Sequence, residues 1–418
     1  MGFCETIDRI IGTQRKKKLY DDYSFTIFSK ANTIPEDKWT ACLGNSNLFL
    51  TLKYLHAIEQ LHEDSMYFRY IMVFKKDQPI LASYFQINDF TADVFGDLVA
   101  GQLQEIQSKR SKLFEHYLDH NKDKVVFRLV TCGNNFISGE HAFSHSNVIS
   151  KKIAFQIMNK VIEVVGKSEK LRGKISATVI KDFEEHTAVK RPLFNDKFVE
   201  FSVEPNMVIT IPKDVNSIED YIKLFSKKYR NRAKSIFKCS DGVEKRQLKY
   251  EEIKKYNAQI YELYEQVFVR AKFKLVKLSY DYFAEMQRKM PEQFEVHAYF
   301  KDGKLVAFKS AFILEDCIEA HFIGFDYAIN KDLECYQNLL YDFIELSIEK
   351  KKSILQLGRT ASEIKSTVGA KAEPLVCYVK PQNTVSKMIL NPFISFLQPS
   401  EWIPRNPFKE EAEVSEQA

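Results

Sequence analysis

Two ionisable side chains stand two residues apart in the segment CIEAHFIG (317–324), Glu319 and His321. The segment alternates as a strand does. Alternation puts Glu319, His321 and Ile323 on one face, with Ile318, Ala320 and Phe322 on the other. A carboxylate and an imidazole on one face of an otherwise apolar strand can take a proton from a substrate. Either is a candidate general base if that face lines a cleft. The alternative is a polar strand face turned to solvent or to a hydrogen-bonding partner. Further along, QLGRTASEIKSTVGAKAEPL (356–375) combines a turn at Gly358 and Arg359 with Lys365 and a second glycine, Gly369. Arg359 and Lys365 can hold a substrate phosphate or carboxylate, or form surface salt bridges.

These groups need elements to position them. FEVHAYFKDGKLVAFKSAFILEDCIEAHFIGFD (294–326) reads as three antiparallel strands, turning at Asp302–Gly303 and at Glu315–Asp316. A helix over 334–352, a strand over 353–358 and a strand over 375–381 follow. Upstream, residues 217–238 read as one long helix capped by Ser217, with helical segments near 250–271 and 279–290.

The first half has a similar order. A strand over 23–29 precedes a helix starting at Ser46, where Leu48, Leu52, Leu55 and Ile58 recur at helical spacing. Two strands in 67–88 turn at Lys76–Gln78. A charged helix spans 97–120, then come a strand over 124–133, a helix over 147–166 ending at Gly166, and a strand over 174–180. Strands 198–203 and 207–212 flank Glu204–Pro205–Asn206. The expectation is a duplicated α/β unit: a polar lead-in 1–19, domains 20–205 and 206–382, and a Pro- and aromatic-rich tail 383–418 with a disordered end.

Composition narrows the function. The chain has 418 residues, 45% apolar and 28% charged, with 33 Phe and 20 Tyr. That load of aromatics serves as core filler or as an apolar groove. A net charge of +5 is small for this length and does not indicate a concentrated nucleic-acid face. The seven cysteines form no C-x-x-C pair, so neither a zinc ribbon nor a disulfide framework is expected, and the reduced thiols suit a cytoplasmic protein. No apolar run reaches the ~18 residues that span a bilayer. MGFCET matches a myristoylation pattern, which short sequences meet often by chance. No two glycines are separated by a single residue, which removes the dinucleotide fingerprint, and no Walker A loop occurs.

In the loop GNNFISGEHAFSHSN (133–147), His141 and His145 stand four apart beside Glu140, but the order is not H-E-x-x-H and no third ligand is evident, so no metal is expected. A ligand-binding loop or an ordinary connection remains. Cys132 lies close enough in sequence for a Cys–His pair, without an orienting carboxylate.

With these residues placed, 217–381 resembles the acyltransferase domain of GNAT-superfamily proteins, in particular the cellulose-biosynthesis and Fem-type peptidoglycan-bridge groups. The likeness rests on the Lys227, Lys228, Arg230, Arg232 and Lys234 cluster, on Gly324–Phe325–Asp326, and on Gly358, Lys365 and Gly369 in that order. Gln356 stands where an Asp is common, and Ile364 where an aromatic is common. The first half fits a tandem arrangement by organisation alone.

The resemblance implies two GNAT-like domains, each a mixed, largely antiparallel sheet with helices on both faces. It implies direct transfer of an acyl group to an amine, with acyl-CoA or acetyl-CoA as co-substrate and no tightly bound cofactor. Glu319 or His321 would be the base in a cleft of the second domain. Asp326 would orient the amine or cap the following turn. Tyr336 would protonate the leaving group or pack in the core. Gly358, Arg359, Lys365, Arg230, Arg232 and Lys331 would contact the donor or substrate. AINKDLECY (328–336) offers only Lys331 to a donor phosphate, so CoA binds differently or the donor is not CoA. Alternatives are an aminoacyl-tRNA donor, read by the basic cluster, and a degenerate binding or scaffold protein. The acceptor would be a small-molecule amine or a lipid or cell-wall precursor. The tail suggests peripheral docking on a membrane or partner.

Overall fold

The computed structural model describes residues 16–44, 47–92, 116, 119–169, 173–184, 198–271, 276–382, 386, 390, 394 and 397–409. The chain divides into two compact units. The first is Met1–Val203 with Pro374–Pro399; the second is Glu204–Glu373 with Ser400–Ala418. Residues 1–15 of the expected lead-in, Ser46, most of the expected helix 97–120 and the end 410–418 lie outside the described residues.

In the first unit β1 (Lys17–Tyr20), β2 (Tyr23–Phe28), β3 (Tyr67–Lys75), β4 (Gln78–Thr91) and β5 (Val125–Cys132) form an antiparallel run. The short β6 (Phe143–His145) also pairs with β4. Helix Lys151–Ser168 follows, and β7 (Ala177–Glu184) pairs with β5 in parallel. Ser150 caps that helix by accepting the Ile153 N–H, and its apolar face (Phe155, Met158, Val161, Ile162) packs on Ile71, Val73, Phe85 and Val130. Gly166 lies inside this helix instead of ending it. The first helical stretch breaks into a 3-10 turn, Leu48–Leu50, and the helix Leu52–His62, because Asn47 and then Thr51 each accept a cap hydrogen bond.

The second unit takes the latter part of β8 (Val199–Thr210), then β9 (Val243–Leu248), β10 (Phe294–Lys301), β11 (Lys304–Ile313), β12 (Cys317–Phe325) and β13 (Ile354–Gln356). The order is β8-β13-β12-β11-β10-β9. β9 through β12 are antiparallel, β12 and β13 run parallel, and β13 is antiparallel to β8. The turn into β11 has Asp302 at φ 50° and Gly303 at φ 75°, the left-handed pair that an Asp-Gly hairpin requires. Both units repeat one arrangement. The last strand of an antiparallel run pairs in parallel with a strand reached through a helix, β5 to β7 and β12 to β13.

Several expectations need correction. The two strands around Pro205 are one strand, β8. The long helix of 217–238 is two, Ile218–Lys223 and Lys227–Cys239. The break is fixed from far away: Pro407 O accepts the Ser226 N–H, and Leu224 O accepts the Lys409 N–H. β9 was not foreseen. The closing strand expected in the second domain is the end of β14 (Lys371–Pro381), and it pairs with β7 of the first unit. The part of the expected tail from 400 to 409 belongs to the second unit. Trp402 and Phe408 pack on the second unit's own core. No helix among the described residues is long and apolar enough to cross a membrane.

Candidate functional site

β12 is irregular where its chemistry lies. Its register with β11 runs from Ile318↔Ile313 to Ala320↔Ala311, then resumes at Ile323↔Lys309. Two β12 residues, His321 and Phe322, therefore face the single residue Ser310. This bulge overturns the strict alternation expected from sequence. Counting from Glu319↔Phe312, Ile323 joins Ile318 and Ala320 on one face. His321 turns toward the rings of Tyr282 and Phe294, and Phe322 toward that of Tyr282, on the Glu319 side. Helix Asn257–Phe268 presses on that same side. A Cβ at Gly324 would lie 2.3 Å from Phe308 and 2.6 Å from the backbone of Leu263 and Tyr264. Helix Cys335–Glu349 covers the other side, where Leu340 and Ile344 meet Ala311 and Ile318.

Glu319 sits at a fork. It forms the last registered pair between β12 and β13, opposite Gln356; β12 then continues to Phe325 while β13 ends. After Gln356 the chain turns sharply, with Gly358, Thr360 and Ala361 all at positive φ (70°, 70° and 51°). For a β-branched residue such as Thr360 that conformation is strained by roughly 1–3 kcal/mol. The turn aims two carbonyls at one ammonium. Lys365 Nζ donates to Gly358 O at 3.0 Å and to Arg359 O at 2.7 Å.

Both ionisable groups at the fork are deeply buried, Glu319 at 3% exposed and Lys365 at 4%. Burial pushes the Glu319 carboxyl well above its ordinary value, opposed by the Lys365 charge. Burial also depresses Lys365 to about 7, opposed by Glu319 and Glu204. Each is desolvated, and each lies within reach of the other's field without a direct ion pair among the described residues. His321 is half-buried, with ring contacts to Phe322, Phe312, Tyr282 and Phe294 at centroid distances of 4.4, 5.0, 5.6 and 6.0 Å. Its Nε2 lies 2.7 Å from the Tyr282 hydroxyl. The apolar surroundings lower its imidazolium to about 3.

Other sequence candidates are engaged elsewhere. Asp326 accepts the Ala328 N–H at 2.9 Å and faces Lys304 at 3.5 Å, which makes it a turn-capping residue. Tyr336 packs with Ile323 and Phe325, across β12 from Glu319. Arg230 closes the end of the preceding helix by donating to Phe225 O at 2.8 Å. Arg232 reaches Gln337 at 3.3 Å, and Lys331 is exposed on the four-residue helix Asn330–Leu333. In the first unit His141 is half-buried between Asn47 and the Ser138 carbonyl, and the Cys132 thiol faces the Ala142 carbonyl. Sequence reasoning missed Tyr282, Ser310 and Glu204. None carries a local spacing signal, because each meets its partner from a distant part of the chain.

No family model matches the sequence, and no curated protein matches it. Solved structures do. FemX is similar at 12% identity over 85% of this chain and 97% of its own, with a TM-score of 0.50. The chain has the fold of FemX. L-PGS from Bacillus licheniformis is similar at 10% identity over 82% of this chain and 95% of its own, TM-score 0.45. A tandem GNAT protein from the clavulanic acid biosynthesis pathway is similar at 7% identity over 86% and 99%, TM-score 0.46. The Fem-type resemblance read from the basic helix, the Gly-Phe-Asp turn and the Gly–Lys–Gly segment thus agrees with the architecture.

The start of helix Cys335–Glu349 has its own chemistry. Glu334 at the N-cap is left-handed (φ 46°) and makes no side-chain cap. The Tyr336 N–H is already given to Asn330 Oδ1 at 3.3 Å. Asp332 and Glu334 flank this end, so its residues do not fit a diphosphate, which needs free N–H groups and positive charge.

Proposed function

We propose that this chain is an acyltransferase that moves an acyl group from an activated ester or thioester onto an amine by direct attack, at the Glu319–Lys365 fork. The observation that carries this reading is a carboxyl with a raised pKa at the parting of two parallel strands, beside a buried lysine depressed to about 7. An amine reaches the site as an ammonium and must lose a proton before it attacks. A carboxylate whose pKa is raised above its ordinary value is a stronger base than an ordinary one. Lys365 keeps two N–H bonds on the Gly358 and Arg359 carbonyls, and its remaining donor can face negative charge that builds on the substrate.

The donor expected from sequence is an acyl-CoA. The acidic start of helix Cys335–Glu349, with its Tyr336 N–H already given to Asn330, favours a second reading, an aminoacyl ester of tRNA whose phosphates seat elsewhere. Lys227, Lys228, Arg232, Lys234 and Lys238 lie exposed on a helix that has no acidic residue. The acceptor is an amine on a small molecule or on a lipid or cell-wall precursor, and the protein acts in the cytoplasm.

Thermal stabilisation tests the donor. Acetyl-CoA, a long-chain acyl-CoA and free CoA are compared with charged and uncharged tRNA at two salt concentrations. A shift with the thioesters that Glu319→Gln retains, while product formation is lost, supports the reading. A shift with charged tRNA alone that collapses as salt rises selects the second donor. A Glu319→Gln protein that turns over at the wild-type rate sinks the assignment of the base.

A further inference from the structure

Glu319 and His321 share a side of β12, yet their surroundings suit opposite tasks. Glu319 lies beside a lysine. His321 is ringed by Tyr282, Phe294, Phe312 and Phe322, with no carboxylate partner among the described residues. A group in such a ring is poorly placed to become a cation. Its one polar contact among the described residues is the Tyr282 hydroxyl, 2.7 Å from Nε2. A phenol O–H is a strong donor and a phenol oxygen a weak acceptor, whereas the bare nitrogen of neutral imidazole is a good acceptor. The favoured arrangement is therefore Tyr282 donating to Nε2, which leaves the ring proton on Nδ1. Nδ1 makes no hydrogen bond among the described residues. The bulge opposite Ser310 leaves this ring on the Glu319 side and brings Phe322 round beside it.

We propose that His321 is a neutral hydrogen-bond donor, locked in its Nδ1–H form by Tyr282, and that it stabilises the oxyanion formed during acyl transfer. This deepens the reading above and rests on it. The amine nitrogen attacks the carbonyl carbon, and the C–N bond forms as the carbonyl electron pair moves onto oxygen. Nδ1–H of His321 donates to that oxygen. The pair then returns, the C–O or C–S bond to the leaving group breaks, the leaving group takes the proton that Glu319 removed from the ammonium, and the acylated nitrogen gives up its extra proton to the freed Glu319 carboxylate, which passes it to solvent. Tyr282 is a positioning residue in this scheme, and the imidazole never becomes charged. The low imidazolium pKa agrees with this, since a group that protonates only near 3 is a poor base but remains a donor at neutral pH.

Two measurements on the full-length protein test the proposal. Long-range proton–nitrogen NMR on labelled histidines reports tautomers directly, and the signal missing from His321→Gln identifies the residue. His321 should show a single Nδ1–H form and no titration between about pH 5 and 8. Tyr282→Phe, a conservative change, should mix the two tautomers. An Nε2–H form in the wild type overturns the proposal. Turnover is then followed with whichever donor stabilises the protein and with hydroxylamine as surrogate amine. His321→Ala should lower kcat by about 10²-fold with KM for the donor held. Glutamine, which keeps an N–H, should restore part of the loss. The acid limb of the pH profile should persist. Loss of that limb makes His321 the base and overturns the proposal. Wild-type kcat in both Tyr282→Phe and His321→Ala overturns this inference alone. A wild type that turns over no donor removes the acyltransferase reading and this one with it.

Discussion

Ser310 takes both main-chain groups of Phe322. Its hydroxyl accepts the Phe322 N–H at 3.0 Å and donates to the Phe322 carbonyl at 2.8 Å. One buried side chain thus stands in for the ladder contacts that the bulge removes. Ser310→Ala leaves a buried N–H and a buried carbonyl unmatched, so it should destabilise the protein by about 1–3 kcal/mol. It should also free the His321 ring, visible as a changed histidine spectrum. A variant as stable as wild type, with that spectrum intact, would show that the strand holds its bulge without the hydroxyl.

Glu319 should make stability fall as pH rises. Its carboxyl is raised above the ordinary 4.5, mainly by burial and against the pull of Lys365. Between the unfolded value and the raised folded value, the native state holds a proton that the unfolded chain has released. The stabilisation is complete below about 4.5 and is lost as pH climbs through the folded value. Glu319→Gln lacks this loss, so its melting temperature should gain on wild type as pH rises above about 4.5. Parallel curves would mean that the carboxyl ionises as freely as in solution.

Lys365 runs the other way. It is depressed from 10.5 to about 7, mainly by burial, with Glu319 and Glu204 opposing. From about 7 to 10.5 the unfolded chain carries a proton that the native state lacks, so stability rises with pH across that window and is lost as pH falls through 7. Lys365→Met should therefore compare best with wild type near pH 6, and its relative standing should worsen toward pH 10, as read by urea unfolding. Parallel curves would place the ammonium in water, and the reverse trend would mean that a partner holds its charge.

Phe408 should anchor the turn that carries Lys365. Its ring lies 5.4 Å from Phe225 and 6.0 Å from Tyr221, and a Cβ at Gly369 would come within 2.7 Å of it. Nearby, the Arg405 N–H donates to Ser366 Oγ at 3.0 Å, and its guanidinium pairs with Glu363. Phe408→Ala should cost about 2–3 kcal/mol. Gly369→Ala should do similar damage, because Tyr221 and Phe408 block the added methyl and the backbone is at φ 100°. A Phe408→Ala protein with unchanged melting would mean that this segment does not hold the turn.

The sequence made local features legible. Asp302–Gly303 announced its hairpin, Ser217 lies at a real helix start, and Glu319, His321 and Lys365 stood out by type. It hid what distant residues decide. The β12 alternation failed because Ser310 sits on another strand. The helix over 217–238 broke because the segment around Pro407 and Lys409 pairs with its middle. Tyr282 meets His321 across 39 residues with no periodic trace. Pro205 read as a break in a strand that in fact runs through it.

β14 bears on how this protein is made. β7 is flanked by β5, already synthesised, and by β14, which emerges only after the whole stretch from Glu204 to Glu373 has been translated. The first unit therefore leaves the ribosome with an open sheet edge at Ala177–Glu184, a hazard for wrong strand pairing. It completes its sheet late. No single cut in the gene yields both halves whole.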